Sequence, residues 1–212
     1  MQVDVADDGA WITYRTSKPR ENLFVIGSDG AGRRRLTDDA FRNRGPRWLE
    51  KNEWILFYSN RSGEYELWIM RRDGTDLRQL GNTTGLGLLV PCVTPDGSRV
   101  AMQVHGKIGA PELGVANVEP DWFGVGSPSM NVAVEKAAEA FFPMTWSPDG
   151  KRIAGRLLTP QGNLPAIYTP ATDRLELQQD PGGWRGSVVW LPDGRRLLAW
   201  DHNRNVATLW TP

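Results

Sequence analysis

With 212 residues, the chain has room for one large all-β domain or two small ones. Its 25 basic residues balance 25 acidic ones, so it lacks the basic excess expected of a nucleic-acid binder or of a protein bound to anionic membranes. A single cysteine, Cys92, rules out an internal disulfide and a multi-cysteine zinc cage, and no apolar run approaches the roughly 18 residues that cross a bilayer.

The first residues, Met-Gln-Val-Asp-Val-Ala-Asp-Asp, have neither the basic start nor the apolar stretch of a signal peptide, which reads as a soluble chain without a targeting segment. The same stretch opens a repeat. Val5-Ala6-Asp7-Asp8-Gly9-Ala10-Trp11-Ile12 is a β-type run, a tight turn and a second β-type run, followed by Leu23-Phe24-Val25-Ile26, Asp29-Gly30 and Arg35-Leu36-Thr37.

Six arginines between Arg33 and Arg47 stand out, but Asp38 and Asp39 dilute them, and the stretch reads as a solvated strand and rim loop. A second copy runs from Trp48 to Phe57, with Asn52 in place of the glycine, then Leu67-Trp68-Ile69-Met70, Asp73-Gly74 and Gln79-Leu80. The third begins at Val93-Thr94-Pro95-Asp96-Gly97, the fourth at Trp146-Ser147-Pro148-Asp149-Gly150, and the fifth at Trp190-Leu191-Pro192-Asp193-Gly194.

From Gly9 through Asn52, Gly97 and Gly150 to Gly194 the steps are 43, 45, 53 and 44 residues. The third unit therefore carries an insertion, within 117–145. Its run from Met130 to Phe142 mixes helix formers with Val132 and Val134, and the repeat calls for a strand there.

Turn chemistry explains the recurring residues. Proline presets φ, aspartate bonds back to nearby amides, and glycine or asparagine takes the positive φ that closes the turn. The run Ile55-Leu56-Phe57-Tyr58 is apolar on consecutive residues, which implies burial on both faces. Four strands repeating at roughly 40–45 residues describe a propeller. The expected fold is therefore all-β: a single domain over 1–212 of about five four-stranded antiparallel blades.

The pattern Trp-Ser-Pro-Asp-Gly-Lys-Arg-Ile-Ala at 146–154, followed by Ile167-Tyr168, resembles the propeller repeat of the TolB family over nearly the whole chain. The resemblance implies six blades, so the five repeats read as an incomplete six-bladed propeller or a ring closed in an unusual way. It also implies a periplasmic or extracytoplasmic place and a protein partner. Similar repeats occur in the lids of prolyl-oligopeptidase-like peptidases and beside bacterial kinases.

Catalytic candidates are sparse. Asp8, Asp96, Asp149 and Asp193 recur at one position of every unit, which marks architecture; a catalytic site needs different residues converging once. The histidines, His105 and His202, are too few for a multi-histidine metal site, and no Gly-x-Ser-x-Gly elbow or phosphate loop occurs. No catalytic residue, cofactor or metal ligand is expected.

Trp48, Trp146 and Trp190 sit before the turn, where a ring wedges between blades. Trp122, Phe123, Trp184 and Arg185 break the pattern on Gly/Pro-rich loops and are the expected partner contacts, as exposed aromatic area. The expectation is a non-catalytic binding or scaffolding propeller for a protein, peptide or glycan, with no nucleic acid and no membrane insertion. The alternative is the propeller portion of a hydrolase or lyase whose catalytic residues lie elsewhere.

Overall fold

The computed structural model describes residues 2–17, 20–80, 86–106, 110–124, 128, 130–135, 140–160, 162–178 and 186–212. Among these residues every sheet is an antiparallel meander of consecutive strands, and the fold is an all-β propeller of five blades.

The first blade is β1 (Gln2–Val5), β2 (Trp11–Arg15), β3 (Leu23–Gly27) and β4 (Arg34–Arg35); the second is β5 (Asn43–Leu49), β6 (Trp54–Ser59), β7 (Glu66–Arg71) and β8 (Arg78–Gln79). The third is β9 (Gly87–Val93), β10 (Arg99–His105), β11 (Glu112–Asn117) and β12 (Ala133–Glu135). The fourth is β13 (Phe141–Trp146), β14 (Ile153–Thr159), β15 (Gly162–Thr169) and β16 (Arg174–Leu177). The fifth has three strands, β17 (Gly186–Trp190), β18 (Leu197–Asp201) and β19 (Val206–Trp210). The expected strand after the insertion is β12, paired with β11.

The chain divides into two compact units, residues 1–91 with 118–131 and residues 92–117 with 132–212, so the division falls inside β9. In the first unit, Leu23 and Val25 of the first blade pack with Trp48, Ile55 and Phe57 of the second. All six residues of β6 are buried, as its unbroken apolar run requires. In the second unit, Cys92, Ala101 and Leu113 of the third blade meet Phe141, Trp146 and Tyr168 of the fourth, and Ala154 and Ile167 of the fourth meet Val188, Trp190 and Leu197 of the fifth.

The tight turns follow the chemistry of their residues. The Gly150 amide donates to the Ser147 carbonyl at 2.8 Å, and the Asp149 carboxylate accepts the Lys151 amide at 3.1 Å. Gly9, Gly97, Gly150 and Gly194 lie at φ between 64° and 72°, and Asn52 lies at 66°. Hydrogen bonds from the Thr94 and Ser98 side chains and the Ser98 amide hold the Asp96 carboxyl down to about 2, while the Ser147 hydroxyl lowers Asp149. These carboxylates are occupied in closing turns.

Neighbouring blades are also clamped by arginines on rings. Arg99 stands 4.8 Å from the Trp146 ring and donates to the Gly150 carbonyl. Arg152 repeats this one blade on, 4.4 Å from the Trp190 ring and 3.0 Å from the Gly194 carbonyl. In the first unit Arg72, from the β7–β8 turn, lies 5.3 Å from the Trp11 ring, and Arg34 donates to the Arg72 carbonyl at 2.7 Å.

Candidate binding surface at the loop end of the first unit

In an antiparallel meander the loops between second and third strands, and between one blade and the next, gather at the end opposite the tight turns. In the first unit that end includes residues 16–17, 20–22, 36–42 and 60–65. Two polar clusters fix these loops.

The first is centred on Arg61, whose side chain is only 10% exposed. Its guanidinium donates to Asp39 at 3.0 Å, to the Asn43 side-chain carbonyl at 2.7 Å and to the Ser59 hydroxyl at 3.2 Å. The Phe41, Phe57 and Trp68 rings lie 5.0 to 5.8 Å from it. Burial lowers the Arg61 pKa, opposed by Asp39. Asn43 also donates to Asp39 at 2.8 Å, and the Thr37 hydroxyl bridges onward to the Asn22 side chain at 3.2 Å.

The second cluster is Glu21 held bidentately by Arg44, at 2.6 and 2.8 Å, with Arg15 at 3.0 Å. Its hydrogen bonds to Arg44 push the Glu21 carboxyl below its ordinary range, and Arg44 is raised in turn. Paired, hydrogen-bonded charges of this kind fix loop geometry because breaking one strands the others.

On this frame Phe41, Arg42 and Asp38 are exposed. A cleft of about 360 Å³ beside them is lined by Thr16, Arg20, Asn22, Phe24, Arg33, Arg35 and Asp38. Arg33 is fixed by its place 4.4 Å from the Phe24 ring and by donation to the Tyr14 hydroxyl at 2.7 Å, and Arg35 pairs with Asp38. A fixed basic cleft beside an exposed ring can bind an acidic or polar partner.

The expected contacts fare differently. Trp122 is fully buried, so its reading as exposed aromatic area is corrected. It ends a single 3-10 turn at Pro120–Trp122. Arg78, 5.2 Å from the Trp54 ring and paired with Asp76 at 2.6 Å, donates to the carbonyls of Trp122 and Gly124. Phe123 is half-buried and tilts against Trp54 at 5.5 Å. The insertion is thus drawn onto the second blade by an arginine forty-odd residues away, a contact that no local spacing announces. Trp184 and Arg185 lie outside the described residues.

His105 is partly buried at the end of β10, which lowers its pKa, and His202 lies exposed after β18. The arginine-rich stretch reads in two parts. Arg33, Arg34, Arg35 and Arg42 are solvated as expected, whereas Arg44 and Arg47 are partly buried. The clusters around Arg61 and Glu21 were missed because their partners come from one loop and from three strands, β2, β5 and β6. The one available signal was Thr37, Asp38 and Asp39 just before β5, with Asn43 opening it.

No family model matches the chain. Among curated proteins, Dipeptidyl-peptidase 5 of Porphyromonas endodontalis is 31% identical over 111 residues, covering 49% of this chain and 16% of that protein. An uncharacterized protein of Agrobacterium fabrum is 28% identical over 164 residues, covering 69% and 51%. The chain thus spans about half or less of the length of these relatives. Among solved structures, TolB from Acinetobacter baumannii superimposes with a TM-score of 0.73 over 97% of this chain and 54% of its own, at 14% identity. The chain has the fold of a TolB-like β-propeller. That fold serves more than one activity: oligogalacturonate lyase from Vibrio parahaemolyticus, 10% identical, matches with a TM-score of 0.69 over 98% of this TolB-like propeller and 63% of its own chain.

Proposed function

We propose that this chain is a non-catalytic binding and scaffolding propeller of the TolB type, which engages a protein, peptide or glycan through the loop end of its first unit. What supports this reading is the investment of that end in fixed charge. Arg61 and Glu21 lock three loops, and the locked loops present Phe41, Arg42 and the arginine-lined cleft to solvent. A preorganised surface loses little entropy on binding, and an exposed aromatic beside arginine is the composition of interface anchors.

The experiment compares the wild-type chain with Phe41→Ala and Arg42→Glu as immobilised baits. Retained proteins are quantified by mass spectrometry, and retained glycans on an array. A partner held by the wild type and reduced at least about tenfold by both changes supports the site; equal retention rejects it.

The likeness to a dipeptidyl-peptidase over 111 residues favours a second reading, the propeller portion of a hydrolase. Turnover of chromogenic dipeptides or of a polyuronate by the purified chain would replace the non-catalytic reading with this one.

A further inference from the structure

Six residues after the tight-turn glycine, the first and fourth blades both carry an arginine, Arg15 and Arg156. Arg15 is paired at 3.0 Å with Glu21, an acid supplied by the loop that joins its strand to the next. In the fourth blade that connection is only Pro160 and Gln161, which bring no acid. At the loop end of the fifth blade, the Asp201 carboxylate accepts from the Asn203 and Arg204 amides and pairs with Arg204 at 3.0 Å, so it is held in its own turn. Among the described residues, the partner of Arg156 is the Phe142 ring, 4.3 Å from its guanidinium, and its Nε is buried without a hydrogen-bond partner.

The strand pairing sets that guanidinium at an opening. Phe142 and Pro165 both pair with Arg156, so the three residues share one face of the blade. Ala154 and Leu158, two residues to either side along β14, lie on the same face. Ala154 is 0% exposed and packs on the fifth blade, Phe142 and Arg156 are half-buried, and Leu158 is 48% exposed. The joint between these two blades therefore opens toward the loop end, with Arg156 at its mouth between a ring and an exposed leucine.

Burial disfavours the charged form of Arg156 and lowers its pKa, and no acid offsets this. A guanidinium does not shed its proton in a protein, so the cost stands until an anion arrives. One guanidinium neutralises one charge, which suits a carboxylate; a phosphate dianion would carry an unmatched charge into the same mouth. The Phe142 and Leu158 flanks suit an apolar group beside that carboxylate.

We propose that Arg156 anchors a second binding site, on the second unit, for a peptide carboxylate carried next to an apolar side chain. Its guanidinium supplies the charge-assisted hydrogen bonds, Phe142 fixes the plane in which they are offered, and Leu158 covers the apolar neighbour. The site uses no residue of the first-unit surface.

Magnetic-resonance titration of the full, isotope-labelled 212-residue chain tests this. N-acetyl-leucine should shift the Arg156 Nε–H and Leu158 amide signals saturably, while N-acetyl-leucinamide, which lacks the charge, should leave them in place. Arg156→Met should weaken N-acetyl-leucine binding, read at the Leu158 amide, at least about tenfold, the loss of one charge-assisted pair. Its melting midpoint should stay level or rise, because the charge removed has no acid partner in the free chain. Comparison with N-acetyl-leucyl-glutamate α-amide tells a chain terminus from an internal acidic residue, and tighter binding of either supports the site. No shift with either carboxylate overturns the proposal, as do equal shifts with the leucinamide. Tighter binding of inorganic phosphate overturns it too. So does an Arg156→Met chain that melts lower and binds as before, which would mark a structural arginine.

Discussion

In the second unit the residue two places after the tight-turn glycine is an arginine, Arg99 or Arg152, that reaches forward to the next blade's tryptophan and glycine carbonyl. In the first unit the same place holds Trp11 or Trp54, and the arginine comes to it instead. Arg72 of the second blade covers Trp11, while Arg71 and Arg78 lie 4.7 and 5.2 Å from Trp54. The cation–ring pair is kept and its direction is reversed. At Trp11 the pair still joins two blades, whereas at Trp54 both arginines come from its own blade, so either residue of the pair can occupy the repeat position.

The largest test of the difference between units concerns backbone approach. Gly155 in β14 sits where a Cβ would lie 2.1 Å from the Phe142 carbonyl oxygen and 2.8 Å from the Phe141 ring. The β13–β14 register shifts between Pro143, which pairs with Gly155, and Thr145, so the close approach lies beside a bulge. Gly155→Ala should therefore cost about 3 kcal/mol or more, seen as a lower urea midpoint. Hydrogen exchange should show the loss concentrated in the second unit; uniform loosening of both units would show them to be one cooperative body.

Next comes the turn. A Cβ at Gly150 meets only ordinary contacts near 3.7 Å, so the obstacle is its φ of 66°. Gly150→Val should cost about 1–3 kcal/mol. In the first unit Asn52 holds the same φ, and its side chain accepts the Asp7 amide at 3.1 Å. Asn52→Gly eases the backbone but removes that bond, and the net change should stay within about 1 kcal/mol. Thermal melts of both variants read the contrast directly, and an unchanged melt for Gly150→Val would remove the turn from the account.

Much of this was legible in the sequence, and the reason is local. The Pro-Asp-Gly turns, the consecutive apolar runs and the 43- to 53-residue steps each depend on residues within one blade, so five blades followed from them. Trp48, Trp146 and Trp190 are buried as wedges because the repeat places them at blade joints. Trp122 broke the pattern and read as exposed, yet Arg78, remote in sequence, folds its loop inward. The loop-end clusters escaped for the same reason, since Arg61 gathers Asp39, Asn43 and Ser59 from one loop and two strand ends.

A smaller effect isolates the clamp itself. Arg152→Met keeps most of the aliphatic stem but loses the ring contact and the Gly194 hydrogen bond, which together should cost about 1–2 kcal/mol. In a double-mutant cycle with Trp190→Leu, a coupling near 1 kcal/mol is expected. The matching cycle of Arg72 and Trp11 in the first unit should give a similar coupling despite the reversed direction. A coupling near zero in either unit would mean that the arginine there merely lies over the ring.

The smallest effect separates the two ends of the blades by pH. Glu21 at the loop end of the first unit and Asp96 at a tight turn of the second both titrate below their ordinary values of 4.5 and 3.8 in the folded chain. A carboxyl whose folded pKa is lowered adds stability that is fully present above its unfolded value and is lost as pH falls through the folded one. The Glu21 contribution should therefore begin to fall once pH drops below about 4.5, whereas that of Asp96 holds until below 3.8 and is spent only near 2. Acid titration followed by hydrogen exchange should show the backbone around residues 20–22 opening before the turn at Thr94–Ser98. Glu21→Gln should abolish the early step and leave the later one unchanged, because Asp96 draws its hydrogen bonds from Thr94 and Ser98 alone within its own turn. If the early step persists in Glu21→Gln, the Arg44 and Arg15 pairing is not what holds the loop end closed.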